Sequence, residues 1–288
     1  LGRFGQFQVS SERLYIPTNQ FPAGSPEAIA LATANSADRL LIDDGNSAQN
    51  PNVLPFPEAG LSFVDTLRLG DSVVNPEGVL HYAFGNYNLI PTEGLTFAQT
   101  NARTVAPQFE TDGGIRVASF NVLNYFNGPS FADSRGADNE TEFMRQNEKL
   151  VSALTSISAD VVGLVEMEND GYGEESAIAQ LTAELNSIEG EGVYSYVALE
   201  GPLGGDEITV GIVYKSATVT PVGNALTIDS VPFDFGNRPP MIQVFEDNAS
   251  GEIFTVAINH FKSKGSCSSA SGLNQDQNDG QACWNLLR

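Results

Sequence analysis

Two short apolar runs each end on an oxygen-bearing side chain. Ile115–Asn121 reads IRVASFN and Asp160–Glu166 reads DVVGLVE, which sets Asn121 and Glu166 forty-five positions apart. Both runs have the β-branched composition of strands. Brought to one sheet edge, the pair offers an amide oxygen and a carboxylate. That is a donor set for a hard cation: Mg²⁺, Mn²⁺ or Ca²⁺. Singly, Asn121 would serve as a turn cap and Glu166 as a solvated strand end. Together, and with the polar positions that follow, they read as a metal seat.

Those positions also stand at the ends of apolar runs. Asp206 and Glu207 precede ITVGIVYK, Arg238 lies in NRPP before MIQVF, and His260 closes IFTVAINH. Lys262 and Lys264 follow at once in FKSKG. An imidazole that leaves a strand into a cationic Gly/Ser loop can move a proton beside a bound anion. The other histidine, His81 in GVLHYAF, has no such company and reads as structural.

The elements that must hold these residues divide the chain in two. Residues 1–108 read as all-β, with short runs at Phe4–Val9, Arg39–Ile42, Leu67–Val74 and Gly78–Phe84 between Gly, Pro and Asn-Asp turns. A small OB-like barrel is the expectation. Gln99–Gly114, with Pro107 and Gly113-Gly114, reads as the linker. From 109 to 288 strands alternate with helices. Asn139 followed by Glu142 forms a capping signature ahead of the stripe Phe143, Leu150, Leu154 and Ile157. Ile178, Leu181, Leu185 and Ile188 mark a second amphipathic helix. Strands are expected near Tyr194–Leu199, Ile208–Tyr214, Met241–Phe245 and Ile253–Asn259. The class is α+β: the barrel, then two packed sheets flanked by helices in a partial four-layer sandwich.

Composition narrows the setting more than the chemistry. The chain has 288 residues with 36 acidic and 14 basic side chains, a net charge of −22. That argues against a protein that coats nucleic acid through a basic surface, and it suits a secreted protein in salty water. It also requires any polyanion-binding site to be a basic island, for which Arg238, Lys262 and Lys264 are the candidates. No apolar run reaches the ~20 residues of a membrane span. The two cysteines, Cys267 and Cys283, flank a polar loop without metal-site spacing, and a disulfide in an oxidising compartment is the reading favoured over free thiols.

SFNVLNYF, DVVGLVEMEN, GPLGGDEITVGIVYK, NRPPMIQVF and VAINHFKSKG together resemble the endonuclease/exonuclease/phosphatase superfamily in order and spacing. The similarity covers about residues 115–288 and is greatest to bacterial extracellular nucleases of the ExeM/NucH type. The resemblance implies a secreted, Mg²⁺-, Mn²⁺- or Ca²⁺-dependent hydrolase of phosphodiester bonds in DNA or RNA. It implies metal binding by Asn121 and Glu166 and protonation of the leaving oxygen by His260. Asp206, or its rival Glu207, would orient that histidine. Arg238 would contact phosphate, with Asn259, Lys262 and Lys264 as further substrate contacts. The family's GDFN-like and SDH motifs do not occur before Arg288, so the expectation is about two thirds of a catalytic domain. A lipid or small-ester phosphoesterase and a non-catalytic binding module are the competing readings.

Overall fold

The computed structural model describes residues 4–49, 56, 67–102, 104, 114–131, 134–234 and 236–288. They fall into two compact units: 1–105 with 275–283, and 106–274 with 284–288.

The first unit contains β1 (Phe7–Val9), α1 (Pro17–Gln20), α2 (Pro26–Ala37), β2 (Leu40–Ile42), β3 (Ser72–Val74), β4 (Gly78–Ala83), β5 (Asn86–Pro91) and β6 (Thr96–Ala98). One sheet runs β1-β2-β5-β4, with β2 and β5 parallel, while β3 and β6 form a separate ribbon. Ile42, Phe56, Leu89 and Leu95 make its core. Among the described residues no sheet closes on itself, so the expected OB-like barrel is corrected to an open sheet. The all-β reading also fails at α2. Ser25 accepts the Ala28 N–H at 3.2 Å and Pro26 opens the first turn, a well-made N-terminus. The helix buries only Ala28, so it carries no apolar stripe for a sequence reading to find. His81 is exposed on the edge strand β4 and packs into no core. Most of the expected linker lies outside the described residues.

The second unit runs β7 (Val117–Tyr125), α3 (Glu140–Ile157), β8 (Val161–Glu168), α4 (Ala177–Glu189), β9 (Tyr194–Tyr196), β10 (Ile208–Lys215), β11 (Val219–Thr227), β12 (Met241–Asp247) and β13 (Ile253–Ile258). Its sheets are β7-β8-β10-β9, with β7 and β8 parallel, and the antiparallel β11-β12-β13. Gly163 shows how closely they meet. A Cβ there would lie 1.8 Å from Ile258 Cδ1, so the missing side chain is what lets β8 and β13 approach. Gly211 does the same on the opposite face, where a Cβ would stand 2.7 Å from Ile178 Cδ1 of α4. Hence α3 and α4 cover one face of the first sheet and β11–β13 the other. Three layers of the expected partial four-layer sandwich are present among the described residues: helix, sheet and sheet.

The helices sit where capping and periodicity put them. Asn139 accepts the Glu142 N–H at 3.1 Å, and Glu142 in return accepts the Asp138 N–H at 3.2 Å. Phe143, Leu150, Val151 and Leu154 face the core. β11 was not expected. Pro221, Gly223 and Asn224 interrupt its pattern, which an edge strand tolerates because one side of it needs no ladder partner.

Candidate active site

Two bulges place the residues expected to bind a metal. Asn121 pairs with Val165 across the parallel β7–β8 ladder, and pairing resumes only at Tyr125 with Met167. On the other side Thr209 pairs with Met167 and Val210 with Val165, so Glu166 is skipped. Glu166 accordingly has φ of 69°, a left-handed conformation that a carboxylate side chain rarely adopts. The extra residue changes the face it occupies. Gly163 faces the second sheet, and Asn121 and Val165, two positions further along their strands, face the same way. Met167 lies on the helix side, near Gly211. Regular alternation would send Glu166 to the helices as well. The bulge instead keeps Val165 and Glu166 on one side. Asn121 and Glu166 therefore share a face.

Glu166 Oε1 lies 3.7 Å from His260 Nε2, just past the end of β13. No described residue donates a hydrogen bond to the Glu166 carboxylate, whose side chain is 20% exposed. Asn121 Oδ1 accepts the Leu123 N–H at 2.7 Å and so fastens the β7 bulge. That is the turn-capping role, and it leaves the oxygen a second lone pair.

Asp206 makes no hydrogen bond to His260 among the described residues. Its Oδ1 accepts from Arg135 at 2.9 Å and its Oδ2 from Arg238 at 2.8 Å. Arg238 is in turn tied to the histidine through the backbone, its N–H donating to the His260 carbonyl at 3.2 Å. His260 Nδ1 is buried without a hydrogen-bond partner among the described residues. Burial lowers the His260 pKa, Arg238 and Arg135 lower it further, and Glu166 and Asp206 oppose them. The free site thus holds a neutral imidazole at neutral pH. Glu207 is exposed, its carboxylate 3.7 Å from Arg135 Nε.

The basic loop differs from expectation. Lys262 Nζ donates to the Ser263 carbonyl at 3.0 Å and lies 4.8 Å from the centre of the Trp284 ring. Its backbone N–H donates to Asn237 Oδ1 at 2.6 Å. The ammonium thus helps to hold the loop. Lys264 and Asn259 are exposed, and Asn259 Nδ2 donates to the Ala257 carbonyl at 3.3 Å. Cys267 and Cys283 are disulfide-bonded.

Two contributors escaped the sequence reading. Arg135 lies in a loop with no periodicity, and nothing in its local pattern points to a carboxylate 71 residues away. Asn169 fastens the Asp206 loop, accepting the Leu203 N–H at 2.8 Å and donating to the Asp206 carbonyl at 2.9 Å. Its place in EMEN, directly after β8, was the available signal.

The donors present suit a hard cation, being a carboxylate and an amide oxygen on one face. Among the described residues no three His, Cys, Asp or Glu side chains form a cluster that could hold a metal. Nor is any described helix long and apolar enough to cross a membrane.

Comparison with known proteins gives two partial similarities. A family described as "Domain of unknown function (DUF8508)" matches residues 6–101. No curated protein matches the sequence. Among solved structures, the human nocturnin catalytic domain with bound sulfate is 14% identical, covering 53% of this chain and 51% of that one, with a TM-score of 0.36. An endonuclease/exonuclease/phosphatase from Bacteroides vulgatus is 17% identical over 51% of this chain and 52% of that one, TM-score 0.35. A protein of the same description from Bacteroides thetaiotaomicron is 15% identical over 51% and 50%, TM-score 0.33. The chain spans about half the length of these solved chains.

Proposed function

We propose that this protein is a secreted, divalent-cation-dependent nuclease that hydrolyses phosphodiester bonds in DNA or RNA. The observation that carries the reading is convergence. Glu166 with His260, and Asp206 with Arg238, form two ion pairs from four different segments, and the Arg238 N–H to the His260 carbonyl joins them. A structural salt bridge does not require a histidine, nor a carboxylate in a left-handed bulge. Mg²⁺, Mn²⁺ or Ca²⁺ would be held by Glu166 and Asn121, and when bound would polarise the phosphoryl oxygens and offset the charge they gain.

The chain's own groups supply the rest. Arg238, held by Asp206, binds a non-bridging phosphoryl oxygen. His260 moves the proton. The resemblance implies that it donates to the leaving oxygen, which requires imidazolium. The lowered pKa favours the opposite direction. The neutral imidazole takes the proton of the attacking water as that oxygen bonds to phosphorus. The bond to the leaving oxygen breaks, and solvent protonates it. The disulfide supports an extracellular setting.

The test is hydrolysis of bis(p-nitrophenyl) phosphate, single- and double-stranded DNA, and RNA, with each of the three cations and with EDTA. Turnover should require the cation and fall by roughly 10²–10⁴ in His260→Ala. With p-nitrophenyl phosphate assayed alongside, turnover of that monoester alone would favour the small-ester reading. Wild-type rates in His260→Ala would overturn the proposed chemistry.

A further inference from the structure

We infer that Arg135 is a substrate-binding residue and that Arg135 and Arg238 form a two-guanidinium clamp for one phosphoryl group, with Asp206 as its positioning residue. The inference rests on the proposed phosphodiesterase reading, and it gives Arg135 a role that no motif suggested. Asp206 divides its two oxygens between two arginines from distant segments, at 2.9 Å and 2.8 Å. Each contact to Asp206 uses a single N–H; with Arg135 Nε beside Glu207 and Arg238 Nε buried, the remaining terminal N–H groups of both forks are left for a ligand. The backbone bond from Arg238 to the His260 carbonyl then fixes the clamp against the imidazole.

The exposures fit a clamp. The Arg238 side chain is 14% exposed and its Nε is buried without a hydrogen-bond partner among the described residues, which marks a fixed inner arm. Arg135 is 44% exposed, an outer arm that can be changed without opening a core. Asp206 is held from behind by Asn169 through its carbonyl. A carboxylate set this way is a template that spaces two guanidiniums for the oxygens of a tetrahedral phosphoryl group.

The test separates this clamp from the reading on which it rests. Inorganic phosphate binding is measured by calorimetry with Mg²⁺ present, which requires no turnover. Arg135→Ala should weaken phosphate about tenfold, the loss of a charge-assisted hydrogen bond, and raise KM for bis(p-nitrophenyl) phosphate by more than it lowers kcat. Arg135→Lys should recover part of the loss, because an ammonium keeps the charge but not the fork. Asp206→Asn is the sharper variant. Removing a negative charge would by simple electrostatics tighten an anion, whereas losing the template should weaken it. Tighter phosphate in Asp206→Asn, or unchanged phosphate in Arg135→Ala, overturns the clamp. Clamp variants that lose phosphate, in a protein with no phosphodiester turnover, would sustain the clamp and overturn only the reading.

Discussion

At the scale of single residues, strain and burial mark the site. Glu166 bears a left-handed backbone for which a residue with a Cβ is penalised by roughly 1 kcal/mol. Glycine carries no such penalty. Glu166→Gly should therefore leave stability unchanged or raise it by up to about 1 kcal/mol, while abolishing cation-dependent activity. Urea melts and a Mg²⁺-dependent assay check both halves, and a clear loss of stability would mean that the side chain and not the backbone sets the bulge. His260 gives a pH dependence with a definite sign. Its folded pKa is held below the ordinary 6.5, chiefly by burial and then by Arg238. Above 6.5 the imidazole is neutral whether folded or unfolded. As the pH falls from 6.5 through the lowered folded value, the unfolded chain binds the proton first and stability declines. The His260→Gln protein should lose this part of the decline, measured as the shift in urea midpoint between about pH 7.5 and about pH 5. In the wild type, kcat/KM should rise with pH through the same window. A falling limb there would restore the role of proton donor.

At the scale of elements, the second unit depends on two close approaches and a cap. Gly163→Ala would push a methyl into Ile258, and overpacking of this kind destabilises by about 1–3 kcal/mol. Asn139→Ala should remove about 1 kcal/mol by leaving the Glu142 N–H unpartnered at the start of α3. Thermal melts of the two variants test whether sheet contact outweighs the cap. These elements also show what could be read in advance. The stripes of α3 and α4 are legible because each buries a periodic face, and β7, β8, β10, β12 and β13 because each is a compact apolar run, continuous in β8 and β10, which are buried on both faces. α2 was invisible because its one buried residue leaves no period, and β11 because Pro221 and Gly223 sit inside it. The site divides the same way. Asn121, Glu166, Asp206, Arg238 and His260 stand at the ends of readable strands. Arg135 does not, and the true partners of Asp206 followed only from the loops. The bulge at Glu166 was likewise hidden, since a single skipped residue leaves the sequence pattern of the strand intact.

At the scale of the whole molecule, the net charge of −22 bears directly on how a polyanion could be bound. A basic island was expected, and among the described residues the cluster is not one. Arg135 and Arg238 pair with Asp206, Glu207 lies beside Arg135, Glu166 faces a neutral imidazole, and Lys262 is turned to Trp284. Two cations against three anions leave the cluster slightly negative on a strongly negative protein. Nucleic acid should then bind weakly until a divalent cation at Glu166 reverses the local sign. The measurement is fluorescence anisotropy of a labelled oligonucleotide with the His260→Ala protein, in which turnover is suppressed. Affinity should rise at least tenfold from EDTA to millimolar Ca²⁺ or Mg²⁺, a coupling of more than about 1.4 kcal/mol. Glu166→Gln should remove most of that increase. Monovalent salt should have a shallow effect by comparison, because few phosphates are neutralised by fixed lysines and arginines. Tight binding in EDTA with a steep salt dependence would mean that the polyanion docks on cations outside this cluster.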